Sequence, residues 1–198
     1  CTLSNRMTLR DANRGGCAQS CRWFYHLYAG RRELTGPERL LTMGSRDLWA
    51  AGEIYDLMRA GVRSFKIEGR MKSEYYVASI VSGYRHLIDE IYAAGAPLPA
   101  ERMAYHCREI LKGENREVCT GFYHGVPGAA GIIYGVAAGN DVNQDFLGTV
   151  KEYDRETGTM VMETRNPFSC GDAIEVLSPG QDNRVFRINE IKNENGEY

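Results

Sequence analysis

Two consecutive segments of the chain each have the pattern of a strand, a short loop and a helix, and this repeat most restricts the folds open to it. In the first segment, an apolar strand at 40–43 is followed by a helical pattern that ends at Gly61. In the second, a short apolar strand at 62–67 is followed by a long helical pattern that Ser73 can cap. Strands that alternate with helices pair in parallel through right-handed crossovers. The sequence therefore predicts the terminal βα units of a parallel (β/α) barrel over residues 1–112.

The pattern changes towards the C-terminus. A helix is predicted at 100–111, and the glycine-rich stretch 113–130 is predicted to be a linker. From 131 to 198 the chain alternates short apolar runs with turn-forming segments, which is typical of a small antiparallel β-barrel domain. The predicted fold class is thus α/β followed by all-β. Further strands are predicted at 23–28, 146–153, 159–165, 172–177 and 185–191.

The first 22 residues are too polar to form a core, and they show no helical or alternating apolar period. They contain three of the six cysteines, Cys1, Cys17 and Cys21, together with four arginines. A loop-like tether after Cys1 could bring the three thiolates together, and thiolates are ligands for zinc or an iron–sulfur cluster. The arginines would favour the thiolate forms and could hold an anionic substrate. The alternative is a loop with unrelated buried thiols.

Charge is unevenly distributed along the chain, although the net charge is only −2. Residues 1–72 hold 13 Lys and Arg against 7 Asp and Glu, whereas residues 126–198 hold 6 against 12. The basic first third is compatible with a phosphate-bearing partner such as RNA; alternatively, its charges only solvate a surface. The acidic C-terminal region is poorly suited to RNA phosphates, so we expect it to dock onto the preceding domain.

Charged residues follow the predicted strand at 62–67 and precede the predicted long helix. In a (β/α) barrel, the C-terminal ends of the strands carry the catalytic groups. Glu68 could act there as a base, and Arg70 and Lys72 beside a helix N-terminus would bind a carboxylate or a phosphate. The alternative is that Glu68 pairs with Arg70 or Lys72 on the surface.

Three ordered motifs resemble those of the collagenase-like peptidase family U32. They are DANRGGCAQSCRW at 11–23, SRDL at 45–48 and SFKIEGRMKS at 64–73. The resemblance is strong over residues 1–95. The remainder resembles the family only in its domain order, because members of that family end in a small β-barrel domain. It implies either an iron–sulfur-dependent enzyme that hydroxylates a uridine or cytidine in tRNA or rRNA, or a collagenase-like peptidase. A docking module without activity of its own is the third interpretation.

The resemblance also implies roles for individual residues. Cys1, Cys17 and Cys21 match cluster ligands, and a fourth ligand would lie outside this chain or be replaced, since Trp49 stands where the family often has a cysteine. Within the hydroxylase interpretation, the candidate catalytic residues are Glu68, Arg70 and Lys72, as their position before the long helix suggests. The residues implied in substrate binding are Arg10, Asp11, Asn13, Arg14 and Arg22.

Two βα units are a quarter of an eight-unit barrel, so we expect a missing N-terminal half that covers the exposed sheet edge. The sequence shows no signal peptide and no window approaching a membrane span, and six irregularly spaced cysteines are typical of a reducing compartment. We therefore expect a cytoplasmic protein whose partners are the missing half of the barrel and tRNA or rRNA, with no membrane. Neither a His-Glu-x-x-His zinc motif nor a Gly-x-Ser-x-Gly elbow is present in the sequence, so a peptidase would need a cysteine nucleophile with a distant histidine.

Overall fold

The computed structural model describes residues 1–36, 40–69, 72–113, 117–133 and 146–193. The chain divides into two units, each built from two segments. The first unit comprises Cys1–Glu53 and Asn115–Asp141, and the second comprises Ile54–Glu114 and Val142–Tyr198. Short elements make up the first unit, whereas the long helices belong to the second.

The described part of the first unit contains one helix and four short strands. Helix α1 spans Thr2–Thr8. Strands β1 (Tyr28–Ala29) and β2 (Arg32–Glu33) form an antiparallel hairpin. Strand β3 (Asp47–Leu48) pairs in parallel with strand β4 (Val118–Cys119). Single turns of 3-10 helix lie at Ala12–Arg14, Ser20–Arg22, Ala51–Glu53 and Gly128–Gly131.

Residues far apart in the sequence close the first unit. The Thr42 hydroxyl donates to the carbonyl oxygen of Ile133, which is 91 residues away, and the Ile133 N–H donates to the carbonyl oxygen of Gly44 at 2.9 Å. Thr42 and Ile133 are both buried. Residues 117–133, which include most of the predicted linker, therefore pair with residues 42–49 inside this unit.

Helices provide most of the core of the second unit. A short helix α2 spans Ile54–Arg59. Helix α3 spans Glu74–Ala94 and begins at Ser73, whose Oγ accepts the N–H of Tyr76 at 3.1 Å. Helix α4 spans Ala100–Leu111. These bounds confirm the long helix capped by Ser73 and the helix predicted at 100–111. The buried apolar residues of the three helices are Ile54, Ile80, Leu87, Ile91 and Ile110.

Gly83 permits a close approach between α3 and α4. A Cβ atom added at Gly83 would lie 2.6 Å from Cγ1 of Ile110 and 3.3 Å from its Cα. Protein interiors are close-packed, so any larger residue at this position would push the two helices apart or displace Ile110.

A buried histidine also joins these two helices. His106 on α4 is fully buried, and its Nε2 lies 2.7 Å from Glu90 Oε2 on α3. Arg102 Nε donates to the same carboxylate oxygen at 2.7 Å. Desolvation acts to raise the pKa of Glu90, but the hydrogen bonds from His106 and Arg102 hold it below its ordinary value of 4.5.

Two antiparallel hairpins complete the described part of the second unit. Strand β5 (Gly148–Asp154) pairs with β6 (Thr159–Thr164), and strand β7 (Ala173–Val176) pairs with β8 (Arg184–Arg187). These pairs confirm the four strands predicted after residue 145, with ends that differ by a few residues.

The hairpin of β7 and β8 docks onto the end of α4 through polar contacts. Lys112 Nζ lies 2.6 Å from Glu175 Oε1, and Asn183 Nδ2 donates to Glu109 Oε2 at 2.7 Å. The ring of Phe146, just before β5, stacks on Tyr75 of α3 with centroids 4.7 Å apart. The acidic C-terminal region therefore contacts helices α3 and α4 within its own unit, while its docking onto a partner domain stays a prediction.

The strand predicted at 62–67 is wrong. Residues 62–69 contain no strand in the structure. The apolar residues of this stretch alternate irregularly with Arg63, Ser64 and Lys66, whereas a buried parallel strand needs apolar residues on both faces. The predicted crossover between two neighbouring parallel strands is therefore absent from the described residues.

The strands predicted at 40–43 and 23–28 are also largely wrong. Each contributes one residue to a single antiparallel bridge between Tyr25 and Leu41, and 23–28 additionally contains the first residue of β1. The aromatic residues of 23–28 lie mostly exposed, so burial does not stabilise a longer strand there.

Each sheet in the described part of the chain has two strands, and none of these sheets closes into a barrel. One pair, β3 with β4, is parallel, and the other three pairs are antiparallel. The structure is thus a mixture of helices and small sheets. Among the described helices, none is both long and apolar enough to cross a bilayer.

Candidate functional site

The segment that carries the predicted ligands begins with a helix. Cys1 is the exposed N-cap residue of α1, and the helix ends at Leu9 in a left-handed conformation with a φ of 57°. The loop-like tether expected after Cys1 is therefore wrong for residues 2–8. Leu3 and Met7, four residues apart, are the helical signal in the sequence that the prediction missed.

Ser4 is the buried residue of α1, and it closes the loop that follows the helix. Its Oγ accepts the N–H of Ala18 at 3.0 Å and donates to the carbonyl oxygen of Arg10 at 3.4 Å. Both ends of the loop at 10–18 therefore meet at one hydroxyl. The sequence analysis did not identify Ser4, because a single serine carries no signal of its long-range partners.

Asp11 organises the interior of this loop. Its carboxylate accepts the N–H of Asn13 at 3.0 Å, and its carbonyl oxygen accepts the N–H of Gly16 at 3.0 Å. Gly15 has a left-handed φ of 87°, and a Cβ atom at Gly16 would lie 3.1 Å from the carbonyl oxygen of Asp11. The two glycines thus let the chain turn tightly around Asp11. The structure gives Asp11 this local role, while its role in substrate binding stays a prediction.

Gln19 connects the thiol of Cys17 to a guanidinium group. The Gln19 N–H donates to Cys17 Sγ at 3.4 Å, and its side-chain oxygen accepts Nη1 of Arg22 at 3.1 Å. Gln19 has a left-handed φ of 53°, which is uncommon for a residue with a side chain. The sequence analysis missed this residue as well.

The predicted ligands do not assemble into a metal site. The described residues contain no group of three or more His, Cys, Asp and Glu side chains that could hold a metal ion. An iron–sulfur cluster bound by Cys1, Cys17 and Cys21 alone therefore does not fit this arrangement, since such clusters need convergent thiolates. The assignment of these cysteines as ligands stays a prediction.

The cationic residues of the segment face solvent. Arg14 Nε lies 3.3 Å from Asp11 Oδ2, and this exposed pair contributes little to stability. Arg10, Asn13 and Arg22 are also exposed. Exposed guanidinium groups can bind a phosphate without disturbing buried structure, because they are already solvated and present several donors.

The predicted catalytic residues belong to the second unit. Glu68 is exposed, and it follows no strand, so the predicted position at a strand end is wrong. Lys72 Nζ lies 4.7 Å from the centroid of the Tyr76 ring, within cation–π distance. Arg70 lies outside the described residues. The catalytic roles of these three residues stay predictions.

Two family models match the chain. The model for peptidase family U32 matches residues 1–132, and the model for the C-terminal domain of that family matches residues 142–198. No solved structure matches the chain.

Relatives of two kinds are similar to the chain. The tRNA hydroxylation protein P1 of Bacillus subtilis is 39% identical over 99% of this chain and 47% of its own length. The 23S rRNA 5-hydroxycytidine C2501 synthase of Escherichia coli is 44% identical over 46% of this chain and 14% of its own length. A protein of Porphyromonas gingivalis named collagenase is 30% identical over 98% of this chain and 53% of its own length. The chain thus spans about half the length of the relatives that match it throughout.

Proposed function

This chain belongs to peptidase family U32, and we propose that it takes part in the hydroxylation of a pyrimidine nucleoside in tRNA or rRNA. The observation that supports this proposal best is the 39% identity to a tRNA hydroxylation protein across 99% of the chain. The 44% identity to an rRNA hydroxycytidine synthase over 46% of the chain supports the same class of reaction. An RNA substrate would place the protein in the cytoplasm.

The Ser4-closed loop at 10–18 and the residues after it are the part of this chain that we assign to the substrate. Arg10, Arg14 and Arg22 would bind RNA phosphates, because their guanidinium groups are exposed beside a tightly held backbone. Asp11 and Asn13 would set the shape of this surface. We also assign Glu68, Arg70 and Lys72 to the reacting nucleoside, because they precede the N-terminus of α3 within the motif at 64–73.

An iron–sulfur cluster would supply redox chemistry, but it requires more than this arrangement provides. Cys1, Cys17 and Cys21 would have to move together or combine with further ligands, because the described residues hold no group of three ligands. We therefore assign no step of the hydroxylation to a cluster. The barrel folds predicted for 1–112 and 131–198 are also proposals. The two family models, which end at residue 132 and begin at residue 142, are consistent with a division of the chain near the predicted boundary.

The experiment uses the complete gene product in a bacterium whose own genes for tRNA hydroxylation and for 23S rRNA hydroxylation have been deleted. Nucleosides from tRNA and 23S rRNA are digested and analysed by mass spectrometry for one added oxygen atom. We expect the wild-type protein to restore a hydroxylated pyrimidine, Arg14→Ala to reduce its level, and Arg184→Ala, an exposed arginine of β8, to leave it unchanged. Folded wild-type protein that adds no oxygen to either RNA would refute the proposal.

A collagenase-like peptidase is the second candidate function. It is favoured by the 30% identity to a protein named collagenase over 98% of the chain. Purified wild-type protein that cleaves gelatin, with activity lost in Cys17→Ala and kept in Cys170→Ala, would support this candidate. Cys170 is a suitable control because it is an exposed thiol of the second unit.

A further inference from the structure

An arm of the first unit, formed by residues 22–36 and here called the aromatic hairpin, has a defined shape. Strands β1 and β2 pair around Gly30, whose φ is 64°. The Leu34 N–H donates to the carbonyl oxygen of Leu27 at 2.8 Å, and the Leu27 N–H donates to Oγ1 of Thr35 at 3.0 Å. These hydrogen bonds therefore define the backbone of the hairpin from which its side chains project.

Three aromatic rings of this hairpin are exposed. Trp23 is 42% exposed, Phe24 is 48% exposed and Tyr28 is 56% exposed. Leu27 and Leu34 beside them are exposed as well. Exposed apolar side chains clustered in one short segment are typical of a binding surface.

The charge of the hairpin identifies what such a surface would bind. Arg31 and Arg32 are exposed and make no ion pair within the part of the chain that the structure describes. The carboxylate of Glu33 lies 2.6 Å from His26 Nδ1, and this hydrogen bond lowers the pKa of Glu33. The acidic group is thus occupied within the hairpin, whereas the guanidinium groups remain available to an anionic partner.

We propose that the aromatic hairpin binds an unpaired stretch of RNA, with bases stacked on Phe24 and Tyr28 and phosphates bound by Arg31 and Arg32. Aromatic rings beside arginines are the combination by which proteins recognise single-stranded nucleic acid, because every base has a face that can stack. This proposal rests on the proposed RNA substrate and adds a docking surface for it. Arg22 links the two, since it lies at the start of the hairpin and contacts Gln19 beside Cys17.

The test measures binding of the complete gene product to a fluorescent 12-nucleotide oligouridine over a range of salt concentrations. Tyr28→Ala should weaken binding by about fivefold or more, because stacking on one ring contributes about 1–3 kcal/mol. Tyr28→Phe should bind the oligouridine as tightly as the wild-type protein, because the aromatic ring is kept. The double variant Arg31→Ala, Arg32→Ala should reduce the slope of log K against log salt by about 1.4, at about 0.7 for each phosphate contact.

Matched controls come from the hairpins of the second unit. Tyr153 of β5 is 58% exposed, and Arg184 of β8 is also exposed. Tyr153→Ala and Arg184→Ala should bind the oligouridine as the wild-type protein does. Circular dichroism of each variant establishes that the fold is kept.

Several outcomes would overturn the proposal. They are wild-type protein without affinity for the oligouridine, hairpin variants that bind as tightly as wild type, and equal losses in the two control variants. RNA binding that depends on the hairpin would support the proposal even if no RNA is hydroxylated, in which case the proposed function alone fails. The opposite result is also informative. If folded Tyr28→Ala protein binds the oligouridine and hydroxylates RNA as the wild-type protein does, the hairpin proposal is refuted and the proposed function is not.

Discussion

The buried hydroxyl of Ser4 accepts the backbone N–H of Ala18 at 3.0 Å, across 14 residues of sequence. The same oxygen donates to the carbonyl group of Arg10, so one side chain fixes both ends of the loop at 10–18. A small buried residue of α1 therefore anchors both ends of the loop that carries Arg14 and Cys17, which the family motif contains.

Ser4→Ala should destabilise this loop. The substitution removes the hydrogen bonds of the Ala18 N–H and the Arg10 carbonyl group, and because both bonds are only partly buried we expect a loss of about 1 kcal/mol. Urea unfolding measures the loss, and hydrogen exchange at the Ala18 amide should be faster. Thr2→Ala, at an exposed position of the same helix, is the control and should change neither quantity. Unchanged exchange in Ser4→Ala would contradict the role given to this hydroxyl.

Gly83→Ala should lower the free energy of unfolding, although alanine favours helices by about 1 kcal/mol over glycine. The new methyl group would meet Ile110, and overpacking of a core costs about 1–3 kcal/mol. We expect the clash to prevail, because the Ile110 backbone is also within 3.3 Å. Thermal and urea denaturation measure the change. A matched variant is Gly52→Ala, where no atom lies within 4 Å of the added Cβ. A gain in stability at Gly83 would show that the helices can separate at little cost.

Acid should weaken the contact between α3 and α4. The hydrogen bonds from His106 and Arg102 hold the pKa of Glu90 below 4.5 in the folded protein, despite the opposing effect of desolvation. Because the pKa of Glu90 is lower in the folded protein than in the unfolded chain, its ionised form stabilises the fold at pH values above 4.5. This contribution is lost as the pH falls below 4.5 and through the pKa of the folded protein.

Urea unfolding at a series of acidic pH values checks this expectation. The Glu90→Gln variant should be less stable than wild type near neutral pH and should lose less stability on acidification. Glu152→Gln, at an exposed position of β5, should follow the wild-type curve. Parallel curves for wild type and Glu90→Gln would contradict the prediction.

Lys112 and Glu175 should show a measurable coupling energy. Lys112 Nζ lies 2.6 Å from Glu175 Oε1 and 2.7 Å from Glu109 Oε1. The side chains of Lys112 and Glu175 are both partly shielded from solvent. A double-mutant cycle with Lys112→Met and Glu175→Gln should give a coupling of about 1 kcal/mol. The coupling should decrease in high salt, because partly exposed ion pairs are screened. A cycle with Lys151→Met and Glu175→Gln, which do not contact each other, should be additive.

Local patterns predicted the helices of the second unit well. Ser73 has the side chain that caps a helix, and the apolar spacing from Val77 to Ile91 is helical, so α3 follows from short-range rules. The hairpins after residue 145 were predictable for the same reason, since Gly158 and Gly171 adopt the positive φ values that tight turns need.

Long-range pairing could not be predicted from these patterns. The run at 62–67 contains Val62, Phe65 and Ile67, but polar residues interrupt it, and its sequence does not show whether a neighbouring strand exists. Asp47 and Leu48 are poor strand residues, yet they form β3, because Val118 and Cys119 lie beside them. The candidate functional site was also predictable only in part, because some of its residues act through long-range contacts. The motif identified the loop at 10–18, whereas Ser4 and Gln19 contribute through three-dimensional contacts that no spacing rule contains.

The hydrogen bond from Thr42 to Ile133 has a consequence for synthesis of the protein. Strand β3 is synthesised before its partner β4, so the first unit cannot close until residues 118–133 have left the ribosome. During that interval its unfinished edge is open to chaperones and to wrong pairing.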